Sequence, residues 1–389
     1  MTSVASSRRR IQTGARAALA AAALASACRP AAEARPTLPP GDYTPRPEHR
    51  PKLPKARAEE IREAALRRAR VWREPAVPIG EFDFRASPPG PGAFRIEQEL
   101  VCKFEPVESK GYSPKFHCVL PGGDLVKVKY GHASAEVRTE VAATRLLSAL
   151  GFGADRMYVV EKVRCFGCPR YPYPKIYWLE SFLMDFDKSV DFDFVSVERT
   201  FEGRKIATEA HEGWAWPELD RIDARQGGSS RAEVDALRLM AVFLNNWDNK
   251  EENNRLVCLP GAWSEETASC GAAFALIQDV GSTFGPRQLD LEGWRSTPVW
   301  VDEASCQVSM RKLPYHGVSF GEPHISEAGR RFLAARLRQI SDPQVRDLFL
   351  AARFTDYDRS SPAARQVENW VRAFDERVRQ IADRAPCPE

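Results

Sequence analysis

Eight cysteines in the central and C-terminal parts of the chain constrain its fold more than any other sequence feature. They are Cys102, Cys118, Cys165, Cys168, Cys258, Cys270, Cys306 and Cys387. An even number of cysteines is typical of a disulfide framework, which forms and persists in an oxidising compartment. Close spacing favours one pair between Cys102 and Cys118. It favours a second pair between Cys258 and Cys270, and a third pair between Cys306 and Cys387 would follow.

The two remaining cysteines form the C-x-x-C motif Cys165-Phe166-Gly167-Cys168, which we interpret as a tight structural disulfide. Zinc binding is an alternative, but a zinc site usually needs two further ligands. A redox-active pair is another alternative, although no thioredoxin-like β-α-β pattern surrounds the motif. The six histidines show no H-E-x-x-H or other metal-ligand spacing, so we interpret them as structural or surface residues.

The N-terminal residues 1–28 are typical of a secretion signal. Three arginines, Arg8–Arg10, precede an alanine-rich, weakly apolar stretch, Ala17–Ala27. A basic head followed by a short apolar stretch indicates a cleavable signal peptide, because the stretch is too short to span a bilayer. The arginines loosely resemble a twin-arginine export signal. The stretch that ends at Cys28 resembles a bacterial lipoprotein cleavage box, in which Cys28 would carry lipid and anchor the protein to a membrane.

This pattern predicts an exported protein, either periplasmic or a membrane-anchored lipoprotein. The alternative is that the segment is a disordered tail of a cytoplasmic protein. Residues 29–75 are predicted to form a proline-rich tether followed by a basic helix over 56–73, because the prolines favour extended chain.

Charge is unevenly distributed along the chain. Residues 1–75 contain 16 Lys and Arg against 7 Asp and Glu, whereas the other 314 residues contain 40 against 46. The body is therefore mildly acidic, which argues against nucleic acid as a partner, because nucleic-acid-binding domains normally carry a basic face.

Hydrophobic periodicity predicts an α+β body that is rich in strands in its first half and in helices in its second. The predicted strands are 99–105, 115–120, 125–130, 157–163, 175–186 and 273–278. The predicted helices are 135–150, one that begins with the capping box Ser230–Glu233, 326–353 and 361–384.

Several charged and amide residues occur in an order that suits phosphoryl transfer. They are Lys127 and Lys129 on a strand, Glu136 and Glu140 on the next helix, then Asp248, Lys250, Asn253 and Asp279. Lys127 and Lys129 share one strand face, because side chains alternate with a period of two. Transfer from a nucleotide needs a lysine on the phosphates, a glutamate that positions it, an aspartate near the attacking hydroxyl and oxygen ligands for a metal.

The chain here resembles the protein-kinase-like superfamily. The kinase catalytic loop reads H-R-D-x-K-x-x-N, and residues 246–253 place Asp248, Lys250 and Asn253 in the same register. Asp279-Val280-Gly281 resembles the kinase D-F-G triplet. The divergent pattern is more similar to atypical kinases, such as phosphoinositide kinases, secretory-pathway kinases and spore-coat kinase-like proteins.

The resemblance implies a two-lobed fold. Residues 76–180 would form an N-lobe with a small antiparallel sheet and one key helix, and residues 181–389 a helix-rich C-lobe. The hinge between the lobes would fall near Trp178–Phe186.

The resemblance also implies roles for individual residues and two cofactors, ATP and magnesium or manganese. Lys129, or Lys127, would hold the nucleotide phosphates and Glu140 would be the ion-pair partner. Asp248 would orient or deprotonate the acceptor hydroxyl and Lys250 would steady the transferring phosphate. Asn253 and Asp279 would bind the metal, with Asn254 as a competitor for Asn253.

The chain departs from the kinase pattern in three places. Asn246 replaces the histidine of the catalytic loop, no G-x-G-x-x-G loop occurs near residues 90–120, and no A-P-E motif follows Gly281. The expected function is an exported or lipid-anchored bacterial ATP-dependent kinase-like phosphotransferase with an unknown acceptor. The alternatives are an inactive kinase-like binding module, an adenylyltransferase that uses the same groups, and a structural disulfide-bonded lipoprotein.

Overall fold

Five strands close into a barrel, and a mixed region of helices and a second sheet follows. The computed structural model describes residues 36–46, 53–107, 111, 113–172 and 188–388. The chain divides into the units Met1–Thr37 and Leu38–Glu389, and every element below belongs to the second. The strands are β1 (Glu99–Glu105), β2 (Lys115–Val119), β3 (Leu125–Lys129), β4 (Arg156–Phe166), β5 (Ser189–Arg199), β6 (Arg204–Lys205), β7 (Asn254–Cys258), β8 (Trp263–Ser264), β9 (Ser269–Cys270) and β10 (Ala273–Ile277). The α-helices are α1 (Lys55–Arg67), α2 (Glu136–Ala149), α3 (Arg231–Leu244), α4 (Leu291–Ser296), α5 (Glu327–Leu337), α6 (Asp342–Ala351) and α7 (Val367–Ala382).

The barrel has the strand order β1-β2-β3-β5-β4 and closes through a parallel pairing of β1 with β4. Its interior holds alternate apolar side chains, among them Phe104, Val128 and Val197. The predicted strands 99–105, 115–120 and 125–130 correspond to β1, β2 and β3, and these three strands pair antiparallel. The expected antiparallel sheet therefore describes only part of a closed barrel.

Two predictions for the strands near the hinge have different outcomes. The predicted strand 157–163 lies within β4. The predicted strand 175–186 and the expected hinge Trp178–Phe186 lie outside the described residues. The pattern did not predict β5, which pairs with both β3 and β4.

Helix α2 packs on the outer surface of the barrel. Met157 and Val159 of β4 face outward and join the larger apolar core together with Val141 and Leu146 of α2. The helix ends before Gly151, whose positive φ of 87° continues the chain in a left-handed conformation. This packing fixes the polar side of α2 relative to the barrel strands.

The second region has the three-stranded sheet β10-β7-β6 and the helices α3 and α5–α7, which pack on one another. The predicted capping box is present, since Ser230 accepts from the amide of Glu233 and Glu233 accepts from the amide of Ser230. The predicted helical stretch 326–353 forms two helices, α5 and α6, because a new capping box at Ser341, followed by Pro343, starts α6. The predicted helix 361–384 is shorter and spans α7.

Helix α1 belongs to the folded body. It is shorter than the predicted helix 56–73, and its residues Ala65 and Leu66 are buried in the larger core. Arg62 is 3% exposed and donates two hydrogen bonds, of 2.8 and 2.7 Å, to the Glu218 carboxylate. One basic residue of this helix therefore forms an ion pair inside the protein and does not face solvent.

All four expected disulfides are present: Cys102–Cys118, Cys165–Cys168, Cys258–Cys270 and Cys306–Cys387. Four disulfides indicate a protein of an oxidising, extracytoplasmic environment. None of the helices in the described ranges is long and apolar enough to cross a membrane.

Candidate functional site

The alternation of β3 places its two lysines on the outer face of the barrel. Val126 and Val128 fill the interior, so Lys127 and Lys129 point away from it towards α2 and the second region. Lys127 forms an ion pair of 2.5 Å with Glu198 of β5. Lys129 is 1% exposed and therefore needs a buried anion.

Two glutamates of α2 supply that anion. The Lys129 ammonium donates a short hydrogen bond to Glu140 and lies 3.3 Å from Glu136. Burial opposes the charged form of Lys129, but Glu140 and Glu136 outweigh it and raise the pKa of the ammonium well above its usual value. Burial raises the pKa of the Glu140 carboxyl, and Lys129 opposes that shift. The pair fixes Lys129 between a strand and a helix.

The loop after α3 begins at Asn245, whose left-handed backbone (φ 55°, ψ 46°) ends the helix. The amide of Phe284 donates to the carbonyl of Leu244 (2.8 Å), and the amide of Trp247 donates to that of Ser282 (3.3 Å). These bonds tie the loop to the segment that follows β10. The two chain segments with candidate residues are thus held side by side by backbone contacts.

Within this loop the three candidate residues contact one another. Lys250 Nζ lies 3.6 Å from Asp248 Oδ1, and the side-chain amide of Asn253 donates to the Asp248 carbonyl (2.6 Å). Burial raises the pKa of Asp248, Lys250 opposes the shift, and the nearby Asp279 adds to it. A carboxylate with a raised pKa is a better proton acceptor than an ordinary aspartate.

Asp279 follows β10 and lies against the same loop. Its amide donates to the carbonyl of Asn253 (3.0 Å), and its carboxylate accepts from the amide of Gly281 (3.1 Å). Burial alone would raise the pKa of Asp279, but Lys129 and Lys127 hold it at about 2. The carboxylate is therefore ionised throughout the neutral range.

The start of α2 lies directly on the residues after Asp279. Thr139 donates its hydroxyl to the Gly281 carbonyl (2.7 Å). A Cβ on Gly281 would lie 2.8 Å from Glu136 Cγ, so a larger residue at this position would require the Glu136 side chain to move. The contact brings the glutamates of α2 and the Asp279 carboxylate into one cluster.

The structure thus brings together the residues that the sequence singled out, except Asn254. They are Lys127, Lys129, Glu136, Glu140, Asp248, Lys250, Asn253 and Asp279. We call this group the charged cleft. Asn254 does not join it, because its side-chain amide donates to the Trp214 carbonyl (2.9 Å) and the residue is 1% exposed.

Sequence reasoning missed three members of the charged cleft. Lys115 and His117 lie on β2, directly opposite Lys129 and Lys127. Glu198 lies on β5 opposite Lys127. The residues Pro121-Gly122-Gly123-Asp124 are typical of a turn, and counting outward from that turn would have paired the β2 residues with the lysines. No local pattern predicts the partner of β3 across the long stretch that leads to β5.

Burial and the lysine Lys127 lower the pKa of His117 to about 4. The imidazole is therefore neutral at pH 7 and adds no charge to the charged cleft. The cations of its strand face are Lys115, Lys127 and Lys129.

Asp279 and Asn253 fit the hard oxygen ligands that magnesium and manganese prefer. The Asp279 carboxylate is ionised, and the amide nitrogen of Asn253 is engaged, which leaves its side-chain oxygen as a ligand atom. A second group of potential ligands, His211, Glu218 and Glu251, lies elsewhere. It is poorly suited to a cation, because Arg62 already neutralises the Glu218 carboxylate.

Comparison with models of protein families gave no match, and neither curated proteins nor solved structures gave a significant one. The kinase-like resemblance therefore stays a prediction that depends on motif order and on the geometry of the charged cleft.

Proposed function

We propose that the protein is an exported ATP-dependent kinase-like phosphotransferase that acts on a hydroxyl acceptor. One observation carries the proposal: the buried Lys129–Glu140 pair lies beside Asp279, next to the loop with Asp248 and Asn253. These groups come from a barrel strand, a helix and two loops. Local secondary structure alone does not require them to meet.

Each group has a role that its environment supports. Lys129 is positioned by two carboxylates and would bind the phosphates of the nucleotide. Asp279 and Asn253 would hold magnesium or manganese, which supplies positive charge against the phosphate oxygens. Lys250 is 45% exposed beside Asp248 and is free to turn towards the transferred phosphate.

The chemical step is an in-line displacement at the γ-phosphorus. The acceptor oxygen forms the new O–P bond, the bond between the γ-phosphorus and the bridging oxygen breaks, and ADP leaves. The proton of the acceptor hydroxyl passes to the Asp248 carboxylate. The raised pKa of Asp248 suits this transfer.

The proposal includes the site of action. The four disulfides support folding in an oxidising compartment. Arg8–Arg10 and the alanine-rich stretch support export, and Cys28 supports attachment to a membrane through lipid. We therefore place the enzyme outside the cytoplasm, periplasmic or held at a membrane surface.

The test uses the full chain purified with its disulfides intact. The protein is incubated with γ-labelled ATP and magnesium or manganese, with and without peptide, sugar and lipid-headgroup acceptors. We expect metal-dependent label on an acceptor or on the protein itself. Asp279→Asn should reduce transfer at least 100-fold, because a magnesium ligand is lost.

Asp193→Asn is the matched control, because Asp193 is an exposed aspartate of β5 outside the charged cleft. It should leave transfer unchanged. A parallel reaction with α-labelled ATP identifies adenylyl transfer, which would replace the proposal if only that label moved. Tight, metal-dependent nucleotide binding without either transfer would identify an inactive binding module and contradict the proposed activity.

A further inference from the structure

Lys115 is an additional cation of the charged cleft. In the antiparallel pairing of β2 with β3 it lies directly opposite Lys129. Side chains at opposed positions share one face with Cβ atoms about 5 Å apart, and like charges there repel. Two lysines at such a position destabilise the hairpin unless an anion lies near both.

The Lys115 side chain is buried and directed into the site. The residue is 8% exposed, and a Cβ on Gly111 would lie 2.9 Å from its ammonium nitrogen. Gly111 has φ of +96°, a conformation that favours glycine. Gly111 and the Lys115 ammonium are thus close to each other.

The carboxylates nearest to Lys115 are committed to other cations. Glu140 and Glu136 bind Lys129, and Glu198 binds Lys127. Among the described residues, no carboxylate forms an ion pair with Lys115. Burial and Lys129 lower the pKa of its ammonium, while Glu136 and Asp279 raise it only from a distance.

We infer that Lys115 is a second phosphate-binding lysine, which contacts the phosphates of the nucleotide from the barrel side together with Lys129. This role rests on the proposed function and deepens it. A glycine-rich loop binds phosphates with backbone amides, and this chain has no such loop between β1 and β2. The buried Lys115 ammonium beside Gly111 would take the place of those backbone amide donors.

The test measures binding of ATP with magnesium, of AMP and of inorganic tripolyphosphate by calorimetry to the full chain. Lys115→Met should weaken ATP and tripolyphosphate binding about 10- to 100-fold, the loss expected for one charge-assisted contact. AMP binding should change less than threefold. Lys103→Met is the matched control, since Lys103 is an exposed lysine of β1, the strand that pairs with the other edge of β2. It should change none of the three affinities.

Lys115→Arg keeps the charge and should retain most of the tripolyphosphate affinity, which a merely structural role would not predict. Equal ATP binding by the wild type and Lys115→Met would overturn the inference and leave the proposed function intact. Tripolyphosphate binding that depends on Lys115 without any ATP binding would support the anion site and overturn the proposed function. Equal weakening of AMP and ATP would also overturn the inference, because it indicates a general structural loss.

Discussion

Two buried cations, Arg377 in α7 and Lys129 in β3, have different kinds of hydrogen-bond partners. Arg377 is fully buried and donates only to uncharged oxygens. These acceptors are the carbonyls of Val242, Phe243, Trp294 and Thr297 and the side chain of Asn245. Lys129 is equally buried but is held by the carboxylates of Glu140 and Glu136.

We propose that this difference separates a structural cation, Arg377, from a functional one, Lys129. Backbone carbonyls cannot titrate or exchange partners without breaking the fold, so Arg377 locks α7 to the end of α3. The carboxylates around Lys129 titrate, lie on a separate helix and face further cations and anions. Such a network can accept an anionic ligand and a metal ion at little structural cost.

The largest effect is expected at Arg377. Arg377→Met removes the donor to the buried Trp294 and Thr297 carbonyls, at a cost of about 1–3 kcal/mol each, and one of the two donors to the Val242 and Phe243 carbonyls. The free energy of unfolding should therefore fall by about 4 kcal/mol or more. Denaturant unfolding measures this loss. Arg372→Met changes an exposed arginine of the same helix and should cost less than about 0.5 kcal/mol.

If Arg377→Met does not fold, Arg377→Lys provides the comparison, because lysine keeps the charge but has fewer donors. It should fall between the wild type and the methionine variant. A loss below about 1 kcal/mol in Arg377→Met would contradict the structural role of this arginine.

A smaller effect on stability, but a complete effect on function, is expected at Lys129. Lys129→Met leaves Glu140 buried without its cation and should cost about 3 kcal/mol. Adding Glu140→Gln removes the stranded charge and should restore most of that loss. Both variants should lose phosphoryl transfer at least 100-fold, measured with γ-labelled ATP.

Recovery of stability without recovery of transfer is the signature of a functional cation. Recovery of both in the double variant would show that Lys129 only stabilises the fold. Arg377 has no carboxylate partner, so no corresponding double substitution exists there.

The smallest effect is expected from the titration of Asp279. Its folded-state pKa of about 2 lies below the usual 3.8, so it contributes stability above pH 4 that is lost as the pH falls towards 2. We expect the ionised Asp279 carboxylate to contribute about 1–2 kcal/mol to the free energy of unfolding. Solvent screens its interactions with the lysines in part, because the residue is only partly buried. Unfolding of the wild type and Asp279→Asn, measured from pH 5 to pH 2, gives the difference.

The difference in the free energy of unfolding between the wild type and Asp279→Asn should become smaller as the pH falls from 5 to 2. A gap that stays constant would show that Lys129 and Lys127 do not stabilise the Asp279 carboxylate. The difference in the free energy of unfolding between the wild type and Arg377→Met should not change with pH between 5 and 2, because both proteins keep Asp279.

Local signals account for the parts of the charged cleft that the sequence predicted. The alternation of Leu125–Lys129 fixes which side of the strand carries the lysines. The capping box at Ser230 fixes the start of α3, and therefore the place where the loop with Asp248 follows it. Cysteine spacing favoured the Cys102–Cys118 and Cys258–Cys270 pairs, and Cys165–Cys168 was interpreted as a tight structural disulfide. The Cys306–Cys387 pair followed because these two cysteines remained.

Long-range pairing accounts for what the sequence did not predict. Barrel closure through β1 and β4, and the pairing that brings Glu198 to Lys127, join distant segments with no local pattern. No local pattern shows which of Asn253 and Asn254 joins the charged cleft. Asn253 donates to the Asp248 carbonyl, whereas Asn254, the first residue of β7, donates to the Trp214 carbonyl. The burial of Arg377 could have been predicted, because the residue lies on the apolar face of α7 between Phe374 and Ile381.

The most direct test of the charged cleft is a crystal structure with manganese and a non-hydrolysable ATP analogue. We predict an anomalous manganese peak within about 2.5 Å of the Asp279 carboxylate and the Asn253 side-chain oxygen. The phosphates should contact Lys129. A nucleotide bound away from Lys129, or a manganese ion on other residues such as His211 and Glu251, would contradict the account.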